Sequence, residues 1–218
     1  MQKWRGRIGM ALAASLSVLA GMTDAIGFMA TGDFVSFMSG NTTRLAVAIS
    51  AGETGVMLRL LWVLLAFVMG NALGIVVARR SGRRALPLLL CIAMLLCLAA
   101  AWPLDTQLPA LIAAILAMGM LNAAVEQVNG LPVGLTYVTG ALSRFGRGLG
   151  RWMLGERRDG WRVQLVPWLG MFLGAVIGAF LEQRLGLKAL LVSALVAALL
   201  GLLSLKIPHR WQKRYMPR

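Results

Sequence analysis

Residues 60–78 read LLWVLLAFVMGNALGIVVA, without one charged side chain. A helix rises 1.5 Å per residue, so this run alone nearly spans the roughly 30 Å hydrocarbon core of a bilayer. The rest of the chain keeps the same character. Of its 218 residues, 59% are hydrophobic and only 14% charged, and the mean hydropathy is +0.76. Globular proteins average about 45–50% apolar and about 25% charged residues. A chain this short has too little interior to hide the excess from water. A soluble domain, a secreted domain and a disordered basic tail are therefore excluded as descriptions of the whole. The class is polytopic membrane protein.

Six stretches read as full spans: 8–30, 57–78, 85–104, 109–128, 163–182 and 187–206. Two shorter ones, 34–50 and 133–149, read as short spans, re-entrant helices or interfacial helices. The expected fold is thus an all-α transmembrane bundle of six long spans plus two short or re-entrant helices. The runs are too long, and alternate too little, for barrel strands. Lys3, Arg5 and Arg7 ahead of an apolar stretch have the layout of a signal peptide. The apolar stretch nevertheless continues to Ala30 past Asp24, which suits a retained first helix. Cys91 and Cys97 share one apolar stretch and read as packing residues, with no CxxC and no disulfide framework.

The chain also matches itself. Ser39-Gly40-Asn41-Thr42-Thr43-Arg44 aligns with Thr139-Gly140-Ala141-Leu142-Ser143-Arg144, and Gly70-x-x-x-Gly74 with Gly170-x-x-x-Gly174, both at an offset of 100. Gly21-Met22-Thr23-Asp24-Ala25 aligns with Gly119-Met120-Leu121-Asn122-Ala123 at 98. One membrane domain, 1–218, is expected, built from halves 8–104 and 109–206. Charge placement sets orientation. With the N-terminus in the cytoplasm and six spans, the arginines at 79–84, the basic residues of 144–162 and the tail from Lys206 all fall inside. Arg44, Arg59, Arg184 and Lys188 fall outside. Eight crossings give a poorer segregation. Arg79, Arg80, Arg83 and Arg84 follow the first Gly-x-x-x-Gly helix, whereas Glu182, Arg184 and Lys188 follow the second. That opposite bias suggests inverted halves, a common transporter plan.

The polar remainder is small. Asp24 lies deep in the first span, where a bare carboxylate costs several kcal/mol, so it must be paired, protonated or wet. A structural hydrogen bond and a role in proton coupling are both open. Asn122 is its match, and Glu126 lies one helical turn further on, or else at the membrane surface. Arg44 and Arg144 form a matched basic pair, either lining a pathway or anchored to headgroups. Gly40 and Gly140 read as helix breaks whose free N–H groups favour an anion, with Asn41 beside the first. Gly70, Gly74, Gly170, Gly174 and Gly178 are spaced for close helix packing. No metal-ligand spacing, P-loop or hydrolytic motif occurs. His209 is the single histidine and lies in the basic tail. No enzyme and no cofactor are expected.

Gly21-Met22-Thr23-Asp24-Ala25 with Phe34-Val35-Ser36-Phe37-Met38-Ser39-Gly40-Asn41-Thr42 resembles the first signature of the YoaK-like family of bacterial inner-membrane proteins. Met118-Gly119-Met120-Leu121-Asn122-Ala123 and Val138-Thr139-Gly140-Ala141-Leu142 resemble its second. The likeness covers about residues 10–206, with Thr23 and Ser39 as mild departures. It implies a multi-span membrane protein and draws attention to Asp24 and Ser39-Gly40-Asn41, but carries no substrate or catalytic residue.

The function expected is a small secondary transporter or exporter of a small solute, weakly favoured as anionic, with Asp24 as a proton-coupling candidate. A channel and a lipid-site or assembly protein are the alternatives. The partners expected are a bilayer with anionic headgroups and a small solute, without nucleic acid. Homodimerisation is left open. The location expected is the bacterial inner membrane, with both termini cytoplasmic.

Overall fold

The structure is a computed structural model that describes residues 2–103, 107–128, 131–132, 135–136, 138–156 and 160–217. Arg157 and Arg158, part of the expected basic stretch, lie outside the described residues. Helix α1 runs Gln2–Thr31, α2 Met38–Ala51, α3 Thr54–Arg80, α4 Ala85–Ala101 and α5 Gln107–Leu121. A two-residue hairpin, β1 (Gln127–Val128) with β2 (Leu131–Pro132), precedes α6 (Val138–Met153). A 3-10 turn at Trp161–Gln164 leads into α7 (Leu165–Leu185), and another at Gly186–Ala189 into α8 (Leu190–Ser204). The short α9, His209–Tyr215, follows.

The all-α bundle stands, but the expectation of six long spans is corrected. Among the described residues three helical stretches have the length and hydropathy of a span: Gly6–Thr31, Thr54–Arg80 and Trp161–Ser204. The last holds both α7 and α8, with the 3-10 turn between them. Ala85–Ala101 and Gln107–Leu121 are apolar but shorter. The physical cause in the second case is Asn122, which begins a run of turns closed by Asn122 N–H to Gly119 C=O and Ala123 N–H to Met120 C=O. Hydropathy alone had carried that helix to residue 128.

Helix α3 shows how the sequence meets its two surroundings. Val63, Ala66, Phe67, Gly70, Gly74 and Ala78 recur every three or four residues and are buried. Leu61, Trp62, Leu65, Val68, Met69 and Val76 between them are exposed. In water that outer face would be untenable; against lipid tails it costs nothing. Because lipid is as apolar as leucine, helix association must come from close packing, and the glycines supply it. A β-carbon on Gly174 would lie 2.0 Å from the Val18 carbonyl oxygen, and one on Gly178 2.3 Å from that of Met22. Gly170 faces Ala14 likewise, at 2.8 Å. The register rises together on both helices, so α1 and α7 run the same way.

The second contact repeats the first with the partners exchanged. A β-carbon on Gly70 would lie 2.5 Å from the Leu116 carbonyl oxygen, and one on Gly119 2.6 Å from that of Phe67. Gly74 meets Met120 at 2.9 Å. Thus α5 packs on α3 as α1 packs on α7. Against these, α4 lies beside α8, where Gly201 faces Leu86 and Leu89. The basic tail is docked rather than loose. Gln212 accepts from Ala85 N–H (2.8 Å) and donates to the Ser204 (2.8 Å) and Ile207 (2.9 Å) carbonyls. His209 Nε2 bonds the Gly82 carbonyl at 2.7 Å. Of the two cysteines, Cys91 is half-buried and packs against the core, whereas Cys97 is exposed.

Two alanine substitutions separate packing from propensity. Gly174→Ala is expected to destabilise by about 1–3 kcal/mol through overpacking against Val18. Gly146→Ala, whose β-carbon would meet nothing within 4 Å, is expected to be neutral or to stabilise α6 by about 0.5–1 kcal/mol. Thermal unfolding in detergent checks both.

Candidate functional site

The segment between α1 and α2 is non-helical and buried. Gly32, with φ of 76°, ends α1, and residues 33–37 then cross the interior before α2 begins. Backbone N–H and C=O groups in such a place must find partners inside the protein. Asp24 and Asn41 supply them. Asp24 Oδ1 accepts from Val35 N–H (2.8 Å) and Ser36 N–H (2.6 Å). Asn41, fully buried, accepts from Phe34 N–H (3.2 Å) and donates to the Phe34 carbonyl (2.7 Å). Thr31 Oγ1 accepts from Asp33 N–H at 3.3 Å. The aromatic run then packs on itself, Phe34 stacked on Phe28 at 4.5 Å and edge-on to Phe37 at 5.2 Å. Gly27 admits the segment: a β-carbon there would lie 2.1 Å from Val35 Cγ2.

The arginine of this half has a different partner from any expected. Arg44 pairs with the fully buried Asp33 and also donates to the Gly32 carbonyl at 2.5 Å. Arg59 at the start of α3 pairs with the other carboxylate oxygen, Nε to Oδ2 at 3.0 Å. Asp33 and Arg59 went unnoticed as site residues because the whole of α2 separates them in sequence. The signal was a lone acid in a Gly-Asp turn after a long apolar helix.

The second half repeats the plan with neutral groups. Asn122 donates to Asn71 Oδ1 (3.2 Å) and accepts from Thr136 Oγ1 (3.0 Å). Asn71 in turn donates to the Phe67 carbonyl at 2.8 Å. Arg144 donates from Nε to Gln164 Oε1 at 2.8 Å. Tyr137, Asn129 and Gly130 lie outside the described residues.

Between the two segments is a cavity of about 170 Å³. Ser36, Met38 and Ser39 line one wall, and Thr136, Val138 and Thr139 the other. These are three pairs at the offset of 100. Phe37, Phe67 and Gly140 complete the lining. Both α2 and α6 therefore present their N-terminal residues to one space. Ser36 is 3% exposed and sits against the Asp24 carboxylate, which its N–H meets at 2.6 Å.

Several expected site residues are placed elsewhere. Asp24, Asn41 and Asn122 hold the walls from behind and do not line the cavity. Arg44 and Arg144 are engaged with Asp33 and Gln164. Glu126 is exposed, and its N–H bonds the Tyr215 carbonyl at 2.7 Å. It does not share a helix face with Asn122, because α5 ends at Leu121. Gly40 and Gly140 are not breaks. Both lie in the first turn of their helices, and the break is the segment before each. A β-carbon on Gly40 would strike the Phe37 ring at 2.5 Å. Among the described residues no group of three or more His, Cys, Asp or Glu side chains gathers for a metal.

Removing both Arg44 and Arg59 as alanines strands a buried carboxylate, and is expected to cost about 3–5 kcal/mol. Adding Asp33→Asn should restore most of it. Recovery of the melting temperature in the triple variant is the measurement that decides.

A family model described as a protein of unknown function, DUF1275, matches residues 12–203. The UPF0700 transmembrane protein RA0705 of Rhizobium meliloti (strain 1021) is 52% identical over 218 residues, covering 99% of this chain and 95% of that one. No solved structure matches.

Proposed function

We propose that this chain, which belongs to the DUF1275 family of unknown function, is a small secondary transporter or exporter. Its solute site, in this reading, is the cavity between the leading residues of α2 and α6. That the chain is a multi-pass membrane protein follows from its family and its apolar helices. The observation that carries the transport reading is the cavity itself, lined by residue pairs from two matched segments. Secondary transporters place substrate between repeats, at irregular backbone that lines a cavity. The reading takes 8–104 and 109–206 as a duplication. In support, α1 packs on α7 as α5 packs on α3.

Asp24 is the coupling group in this reading. Its carboxylate holds Val35 and Ser36 by two N–H bonds, and Ser36 lines the cavity. Protonation weakens charge-assisted bonds of this kind, which frees the wall to move. Asn122 occupies the matched place with no charge to change, so one wall responds to protons and the other stays fixed.

The bilayer partner fits the same picture. Helix α6 sets Arg144, Arg147 and Arg151 on one stripe, and the exposed Leu142, Leu149 and Met153 on the opposite one. Such a helix suits an interface with anionic headgroups, each near-surface arginine contributing about 1 kcal/mol. We place the protein in the bacterial inner membrane, with the tail and the arginines of 79–84 on the cytoplasmic side. A homodimer through the exposed apolar faces is compatible with this arrangement.

Flux of a solute panel into proteoliposomes, with and without a pH gradient, tests the proposal. Wild type should show gradient-driven flux, and Asp24→Asn should lose the dependence on the gradient. Asp24→Asn keeps an acceptor oxygen for the wall, so its fold should survive. Flux that is unchanged in the variant would leave Asp24 a purely structural support.

A further inference from the structure

The basic tail and the α3–α4 turn are far apart in sequence and meet in space. His209 Nε2 bonds the Gly82 carbonyl at 2.7 Å, and Gln212 accepts from Ala85 N–H at 2.8 Å. Gln212 is buried, and it also ties in the end of α8 by donating to the Ser204 carbonyl at 2.8 Å. Tyr215 and Met216 beside it belong to the core, and the Tyr215 carbonyl accepts from Glu126 N–H at 2.7 Å. Three apolar helices therefore end at one place: α3 at Arg80, α4 at Ala85 and α8 at Ser204.

That docking gathers charge of one sign. Arg80, Arg83 and Arg84 come from the turn, and Lys206, Arg210, Lys213 and Arg214 from the tail. Each lies within two residues of a hydrogen-bonded contact just given. Arg83 is half-buried and the other six are exposed. On α9 the buried side holds Gln212 and Tyr215, which leaves Arg210, Lys213 and Arg214 to the outside. No acid occurs from Thr54 to Leu104 or after Glu182. Glu126, exposed beside Tyr215, is the acid brought to this end by the contacts above. Among the described residues none of the seven has an ion-pair partner. Like charges held together repel, so a fixed cluster of this kind is set up for an anion from outside the chain.

One of the seven stands where the backbone disfavours it. Arg83 has φ of 61° and is the one non-glycine residue in the left-handed region among the described residues. Glycine takes that conformation freely, and an arginine does not. The Arg83 N–H closes the end of α3 on the Ala78 carbonyl at 2.7 Å, a bond that a glycine makes equally well. The turn therefore has no need of this side chain, and its charge is what the position adds.

The chemistry of the partner follows from the neighbours. Val76 precedes Arg80 by one helical turn, Leu202 precedes Lys206 by the same spacing, and both are exposed, as is Leu203. Apolar surface thus runs from the cations along α3 and α8 into the depth of the bilayer. A soluble anion uses only the cations, whereas an anionic phospholipid uses both surfaces. The cations form two groups of three, one on the turn and one on α9, joined where His209 meets Gly82. Two groups suit a headgroup with two phosphates better than a headgroup with one.

We propose that the docked tail and the α3–α4 turn form a binding site for an anionic phospholipid that carries two phosphates. Arg80, Arg83 and Arg84 serve one phosphate, Arg210, Lys213 and Arg214 the other, and the acyl chains follow Val76 and Leu202. This site differs from the general attraction of α6 to headgroups, because it exists only while the tail is folded in place. It also stands apart from the transport reading, since a chain that moves no solute keeps it.

The test is native mass spectrometry and thermal unfolding of the full chain in neutral detergent, titrated with cardiolipin as the two-phosphate lipid. Phosphatidylglycerol at equal phosphate, phosphatidylcholine and soluble pyrophosphate are the comparison probes. One cardiolipin should stay bound and raise the melting temperature. Phosphatidylglycerol should bind roughly tenfold more weakly, and phosphatidylcholine and pyrophosphate should give no shift. Arg83→Gly should unfold at the same or a higher temperature without lipid, yet bind cardiolipin roughly 3- to 10-fold more weakly. Lys213→Gln with Arg214→Gln should weaken it further. Arg147→Gln with Arg151→Gln removes the same charge from α6 and should leave the affinity unchanged. Gln212→Ala removes no charge but releases the tail, and should also weaken binding. If that variant does not fold, Arg83→Gly and the α6 comparison decide. An equal loss in the α6 variant shows diffuse attraction and overturns the site. Equal affinity for phosphatidylglycerol, or full competition by pyrophosphate, overturns the two-phosphate lipid as its occupant.

Discussion

The backbone of residues 33–37 leaves the helix while Asp33, Val35 and Ser36 are buried in the protein. That one constraint organises the first half of the molecule. Unpaired buried amide groups cost several kcal/mol each; the Ser36 and Phe37 carbonyls are met by backbone N–H groups of α2, and the others need side chains. Asp24 meets Val35 and Ser36, and Asn41 meets Phe34 on both its donor and its acceptor. The acid deep in α1 is thus tied to the existence of the break, and the break sets the N-terminus of α2 beside a cavity. A polar residue that hydropathy marks as anomalous is what makes non-helical structure tolerable at that depth.

The glycines perform the complementary task. With no hydrophobic drive between helices in lipid, α1 and α7 approach until Gly174 and Gly178 touch the carbonyls of Val18 and Met22. The α3–α5 contact is built the same way. Asn71 and Asn122 sit at that second contact, and their hydrogen bond leads directly to Thr136 on the cavity wall. Helix packing and cavity wall are therefore one connected structure in each half.

How much of this was legible depended on the range of the interaction. Apolar runs gave the helices, and Gly spacing gave the packing faces, because both are written within one element. The offset between Ser39-Gly40-Asn41 and Thr139-Gly140 marked the two segments that meet. Helix ends were less legible: Leu121 ends α5 where hydropathy continues, since Val125 and Val128 are apolar whatever the backbone does. The Asp33–Arg44–Arg59 cluster was illegible because its members belong to a turn and two different helices. Ser36 was quoted only as part of a longer motif and Thr136 not at all, because nothing in a serine or threonine announces that it will line a cavity.

The two halves differ where the plan matters most. Asp24 is ionisable where Asn122 is not, and Asp33 binds two arginines where the other half has a Gln164–Arg144 hydrogen bond. Identical halves would respond to a proton on both walls or on neither. Unequal ones leave an ionisable group only behind Ser36, whereas Thr136 is held through the neutral Asn122 and Asn71. Along α6, Arg147 and Arg151 lead away from the cavity. The corresponding face of α2 carries Val47 and Ala51, and its one arginine is bound at Asp33. Any solute in the cavity therefore meets a basic approach along one helix and an apolar one along the other. The residue pairs at the offset of 100 share the space, and the differences between them make its two walls unequal.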